Sequence, residues 1–220
     1  GAWGADIVHD LDRELAAIRF AVAAIRAQPG LPPAKLLERL QEIDTYAKNL
    51  VMPSLPEQPL LPGQTVELKN AALIDEVIHA EAEQLRRTHA ATTIRVQANA
   101  GGIRASIHEQ WLRRLLRHLV KNAVKANQAE LRPLEIIIST EVQAALVEVS
   151  VQDNGRGVRP GIENSLFNRP VPHIGERSDE RSGRGLVLVR HIVELHGGSA
   201  RLKWNKPDQG TCFVFSIPHL

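Results

Sequence analysis

The sequence has a single cysteine, Cys212, so no intrachain disulfide can form. That composition fits a reducing compartment. Aromatic residues are only 4% of the 220 positions, so a core must be built mainly from Leu, Ile, Val and Ala. No apolar run approaches the ~18 residues that a membrane-spanning helix needs, and no stretch reads as a signal peptide. A cytoplasmic location is expected, with room for a sensor and a membrane anchor upstream. Charge of one sign is also scarce. The formal net charge is +2 with no long basic block, so no nucleic-acid partner is expected.

What is present fits a soluble globular chain, with 43% hydrophobic and 24% charged residues. A length of 220 residues accommodates one domain of ~150 residues and a smaller module. Residues 5–28 read as a helix, because Val8, Leu11, Leu15, Ile18, Val22 and Ile25 are spaced 3, 4, 3, 4 and 3 apart. Pro29-Gly30-Leu31-Pro32-Pro33 stops it. A second helix over 34–51 repeats the seam with Leu36, Leu40, Ile43, Ala47 and Leu50. Two such helices form a hairpin that cannot cover both seams by itself. A second copy completing a four-helix bundle covers them, which predicts a homodimer; the alternative is a hairpin packed on its own domain. Pro53, Pro56, Pro59 and Pro62 then mark a semi-rigid linker. The domains expected are therefore 1–52, a linker at 53–62, and 63–220.

The rest alternates. Strands are predicted at 65–68, 93–97, 134–140 and 146–152, with a terminal hairpin at 200–204 and 211–217. Helices are predicted at 71–88, 109–127 and 185–195, and a short one at 161–167. The expected class is α+β: a helical hairpin followed by an α/β sandwich with a mixed, mainly antiparallel sheet and helices on one face.

Three segments carry chemistry. On the helix over 109–127, His118, Asn122 and Lys125 are 4 and 3 residues apart and share a polar face. An amide oxygen, an imidazole and an ammonium on one stripe suit a metal–phosphate cluster. Mg²⁺ keeps water and phosphate oxygens, so one Asn suffices as its protein ligand. Asp153-Asn154-Gly155-Arg156-Gly157 ends a strand. An Asp there accepts a hydrogen bond from an exocyclic amine, and the glycines let backbone approach a flat ring. Ser182-Gly183-Arg184-Gly185 opens a helix whose free N–H groups face an anion. The polar loop at 168–182 before it has the length of a lid.

In this order the segments resemble the GHKL ATPase family of gyrase, Hsp90, histidine kinases and MutL. Arg117-His118-Leu119-Val120-Lys121-Asn122-Ala123-Val124-Lys125 resembles its Asn box. Asp153 to Val158 resembles its first Gly box, and Leu166-Phe167 its Phe box. Gly183 to Gly198 resembles the second Gly box and its helix, and Gly210 to Pro218 the closing strand. The resemblance covers about residues 63–220, and the fold it implies is the GHKL (Bergerat) sandwich. It implies ATP with Mg²⁺ on Asn122, adenine on Asp153 beside Gly155 and Gly157, and phosphates near His118, Lys125, Gly183, Arg184, Gly185 and Leu186. Two positions depart from the pattern. Hydrolytic members carry a water-activating Glu where His118 stands, which favours a transferase over an ATPase. The usual third glycine of the second Gly box is Val187.

Ile7 to Leu15 resembles the His box of histidine kinases. His9 lies off the seam, and Asp10 beside it is placed to take its proton. Glu14 stands where Pro is usual, so the helix should be less kinked. The expectation is a dimeric protein-histidine kinase core that autophosphorylates His9 and passes the phosphoryl group to an Asp on the receiver domain of a response regulator. Two rivals stay open: a GHKL serine/threonine protein kinase similar to the mitochondrial dehydrogenase kinases, and a non-catalytic dimer whose shape ATP controls.

Overall fold

Proline at the first helical position forfeits no hydrogen bond, and Pro33 opens helix α1 (Pro33–Leu50). The computed structural model describes residues 22, 23, 25, 32–50, 71–127, 132–167 and 185–220. The chain divides into two units, Gly1–Ser54 and Leu55–Leu220. In the first unit α1 leaves Leu37 and Leu40 exposed. Of the helix expected over 5–28, only residues 22, 23 and 25 are described, all helical. The linker at 53–62, the strand expected at 65–68 and the loop at 168–182 lie outside the described residues, and so do most of the hairpin and the bundle built on it.

The second unit begins with β1 (Ala71–Leu73), α2 (Ile74–Thr88), β2 (Thr92–Gln97), β3 (Arg104–His108) and α3 (Glu109–Ala126). It continues with β4 (Leu134–Gln143), β5 (Leu146–Asp153), a 3₁₀ turn (Glu163–Ser165), α4 (Gly185–Leu195), β6 (Ser199–Lys206) and β7 (Gly210–Pro218). The main sheet runs β2-β4-β5-β7-β6. Among the described strands of this sheet only the β2–β4 pair is parallel, so the sheet is mixed and mainly antiparallel. Strand alternation sets its two faces. Ile136, Ile138, Val149, Val151, Phe215 and Ile217 are buried on one, and α2, α3 and α4 cover it. The other face is polar, with Arg95 bound to Glu135 at 2.9 Å and Lys203 to Glu148 at 3.2 Å.

Three elements differ from expectation, one being the short helix expected at 161–167, which is only a 3₁₀ turn at Glu163–Ser165. The helix predicted from residue 71 starts at Ile74, because Ala71–Leu73 pairs antiparallel with β3 as a second, two-stranded sheet. β3 itself was not expected. An antiparallel bridge from Ala105 to His219 continues this small sheet at the C-terminus.

α3 organises the core. Its apolar residues Leu112, Leu115, Leu116, Leu119 and Ala123 follow the helical period and are buried. His108 caps its start, accepting from the Gln110 amide at 3.2 Å through Nδ1. Glu109 in the first turn and Lys125 in the last suit the helix dipole. Glu81 of α2, 1% exposed, accepts from Arg117 Nε at 2.6 Å and from Arg113 Nη1 at 3.2 Å. A buried carboxylate needs such partners, and here they tie α2 to α3. The packing predicts that Leu116→Ala, at a fully buried position, lowers unfolding free energy by about 2–5 kcal/mol in denaturant melts.

Candidate functional site

β5 ends at Asp153, a residue only 4% exposed. Oδ1 accepts from the Gly155 amide at 2.8 Å, and Oδ2 accepts from the Thr211 hydroxyl in a short hydrogen bond. Burial pushes the Asp153 carboxyl above the usual carboxylate range, while the bonds from Thr211 and Gly155 and the charge of Arg132 oppose that rise. The backbone here is crowded. A Cβ on Gly210, where φ is +114°, would lie 1.9 Å from the Asp153 carbonyl oxygen, so only glycine lets β7 start this close to β5.

The loop after Asp153 is tethered along its length. Asn154 accepts from the Glu135 amide at 2.8 Å and donates to Pro133 O at 3.2 Å. Gly155 O accepts from Arg132 Nη2 at 2.7 Å, and Arg156 O accepts from the Asp208 amide at 2.8 Å. Gly157 has φ +82°. Val158 gives its N–H to Asn205 Oδ1 at 2.8 Å and takes Asn205 Nδ2 on its carbonyl at 3.0 Å.

The polar face of α3 meets the start of α4. A Cβ on Gly185 would stand 3.5 Å from His118 Nδ1 and 3.6 Å from Asn122 Oδ1. Glycine there leaves the amide and the imidazole facing the helix N-terminus. That end of α4 carries no acidic residue in its first turn, and the positive end of a helix dipole favours an anion. Leu186 is buried one residue on, and Lys125 stands half-buried one turn beyond Asn122. The end of α3 joins the Asp153 loop through Asn127, which donates to Arg132 O at 3.4 Å, and through Arg132, which reaches Gly155 O. Asn122 lies five residues before Asn127, about 7.5 Å along the helix. The structure thus brings His118, Asn122 and Gly185 to one place and Asp153, Gly155 and Thr211 to another, with Arg132 linking the end of α3 to the second. His9, Asp10, Gly183 and Arg184 lie outside the described residues. Leu166 and Phe167 are buried, and the Phe167 ring meets Phe213 edge-on at 6.0 Å. Thr211, Asn205 and Arg132 were not among the expected residues. Thr211 sits in the Gly-Thr pair of the closing strand, whereas Asn205 and Arg132 carry no local signal.

A buried carboxylate at a strand end, a carboxamide on a helix and a glycine-opened helix N-terminus on a mixed α/β sandwich define a nucleotide-binding class. Residues 107–220, just over half the chain, match the family described as Histidine kinase-, DNA gyrase B-, and HSP90-like ATPase, and the chain belongs to it. It is 35% identical over 105 residues to the sensor protein KdpD of Escherichia coli (strain K12), a match covering 48% of this chain and 11% of that protein. It is 27% identical over 220 residues to the adaptive-response sensory kinase SasA of Prochlorococcus marinus, covering 96% of this chain and 55% of that one. Among solved structures, the ATP binding domain of PrrB from Mycobacterium tuberculosis is 25% identical with a TM-score of 0.54, covering 68% of this chain and 96% of that one. The chain thus spans only part of the curated relatives.

The raised carboxyl has a consequence for stability. The folded form holds the Asp153 proton more tightly than the unfolded chain does. Its contribution is therefore full below the ordinary carboxylate pKa and declines as pH rises toward the raised value. Asp153→Asn removes that decline. Denaturant melts from about pH 4 to about pH 7 should show the variant gaining stability relative to the unchanged protein as pH rises.

Proposed function

We propose that this chain is the ATP-dependent catalytic core of a protein-histidine kinase, acting as a homodimer within a longer sensor protein. The observation that carries this is the meeting of Asn122 and His118 with the Gly185 end of α4, on a domain whose family and relatives are those of sensor kinases. Residues 63–220 bind the nucleotide, residues 1–52 dimerise and carry His9, and residues 53–62 let the two approach.

In this reading Asp153 accepts from the adenine amine, with Gly155 and Gly157 leaving space for the ring. Gly183, Arg184, Gly185 and Leu186 place backbone N–H groups on the phosphates, and Lys125 and His118 offset their charge. Asn122 offers Mg²⁺ one hard oxygen, which suits an ion that keeps phosphate and water ligands. When bound, Mg²⁺ neutralises charge on the phosphates. A ring nitrogen of His9 attacks the γ-phosphorus in line. The N–P bond forms as the bond to the β–γ bridging oxygen breaks, ADP leaves, and Asp10 takes the imidazole proton. The phosphoryl group then passes to an aspartate on a receiver domain.

The test uses γ-labelled ATP. The protein should acquire label that is acid-labile and base-stable and that is absent in His9→Ala. Acid-stable label on a partner protein would instead fit a serine/threonine kinase. Bound ATP without any label would fit a nucleotide-gated dimer. Asn122→Ala and Asp153→Ala should each abolish labelling. Full activity in either variant would overturn the residue assignments.

A further inference from the structure

Strict alternation along β6 would turn Asn205 away from Asp153. Leu202 pairs with Phe213 on the helix-covered face, so Lys203 would point out, Trp204 in and Asn205 out. The register instead shifts between Leu202 and Trp204, so that Trp204 pairs with Cys212 and Asn205 with Thr211. A bulge of one residue re-aims every side chain after it. Thr211 also pairs with Asp153 across β5 and β7. Asp153, Thr211 and Asn205 therefore form one cross-strand row on one face, and Asn205 is in that row because of the bulge.

From this row Asn205 uses both ends of its carboxamide on Val158, at 2.8 and 3.0 Å. Its Oδ1 lies 2.9 Å from where a Gly157 Cβ would stand. Arg132 closes the other end of the loop, bridging Gly155 O at 2.7 Å and Asp208 O at 2.8 Å. The loop at 154–158 is thus fastened to the β6–β7 hairpin by residues far from it in sequence.

We propose that Asn205 and Arg132 are positioning residues that set the base specificity of the nucleotide site, by holding loop 154–158 against the β6–β7 hairpin. The proposal rests on the reading of Asp153 as the base-binding group. An ionised carboxylate only accepts hydrogen bonds. It attracts a purine with an amine at position 6 and repels one with an oxygen there. That discrimination persists only while the carboxylate and its loop cannot yield, because a loop that yields lets the wrong base choose another geometry. Fastening the loop in advance also spares the nucleotide the work of ordering it.

The experiment is calorimetric titration of the full chain with Mg²⁺ and either ATP or inosine triphosphate, which carries an oxygen in place of the amine. Asn205→Ala and Arg132→Gln should raise the Kd for ATP about tenfold, as expected when a loop keeps its binding form about a tenth of the time. The Kd for inosine triphosphate should hardly move, so the preference for ATP shrinks by a similar factor. An unchanged ATP Kd, or an equal loss for both nucleotides, would overturn the proposal. If Asn205→Ala does not fold, Asn205→Asp serves instead: it keeps the shape and the acceptor for the Val158 amide, while its second oxygen only accepts and so opposes the Val158 carbonyl and Glu163 where Nδ2 donated. The same ATP-selective loss is expected from it, and an equal or absent loss counts against the proposal. Asp153→Asn separates the two levels. If it binds ATP as the unchanged protein does, the base assignment itself fails and this inference falls with it; if it loses ATP while Asn205 and Arg132 variants do not, only the positioning role fails.

Discussion

A carboxylate held out of water must be given hydrogen-bond donors or it gives up its charge. Asp153 is that group in this domain, and much of the local architecture follows from satisfying it. Thr211 approaches from β7, the Gly155 amide folds back from the loop, and the Arg132 guanidinium adds charge nearby. β7 can come close enough only because position 210 lacks a Cβ. These donors oppose the penalty of burial without cancelling it, since the carboxyl still sits above its ordinary range. A group kept at such a disadvantage in the free protein is typical of a binding position, where the ligand supplies the missing donor.

α3 is the second fixed point, and its rotation matters as much as its location. Its leucines bury one stripe, which sets the rotation only to within the width of that stripe. Arg113 and Arg117 sharpen it by gripping Glu81 on α2. Arg117 is adjacent to His118 and roughly 100° from it around the helix. Pinning the arginine therefore aims the imidazole, and Asn122 one turn on, toward the Gly185 end of α4. The Glu81 pair is buried on the acid side and half-exposed on the arginine side. A buried ion pair is weak evidence of net stability, and what the contacts fix here is the placement of α3 against α2.

Much of this was legible in the sequence because periodicity reports burial. α3, α4, β4, β5 and β7 announce themselves through the spacing of aliphatic residues; of the site residues, 153 and 185 sit at the ends of those elements, while 118 and 122 share the polar face of α3. β1 and β3 did not. Ala71-Ala72-Leu73 reads as the start of a helix, because alanine favours helix when nothing else decides. Arg104-Ala105-Ser106-Ile107-His108 has one β-branched residue and no alternation, since Ala105, Ser106 and Ile107 are all buried. Both strands exist through pairing with each other, and β3 also through the C-terminal residues, which is tertiary information. Asn205 was invisible for a different reason. It lies one residue beyond the strand expected at 200–204, and the bulge that turns it inward leaves no mark in composition. Arg132 follows a turn and looks like any surface arginine until its two carbonyl partners are known.

The two ends of the site are built differently, and under the proposed reading the difference matches their roles. The base end is made of strands and a loop fastened by side chains from three elements. An adenine held there would take no part in the phosphoryl transfer, so what this end contributes would be equal in the bound substrate and in the transition state; such uniform binding sets affinity and selectivity but leaves the chemical step alone. The phosphate end rests on a helix N-terminus and on single side chains from α3, groups whose interaction grows as charge develops on the transferred phosphoryl oxygens. In that reading a stiff base pocket would let one domain hold ATP while His9, the proposed phosphoacceptor, is supplied from outside that domain. The proposal gives the bulge in β6 a place in the first of these tasks: by turning Asn205 toward Val158 it fastens the loop that would wall the base.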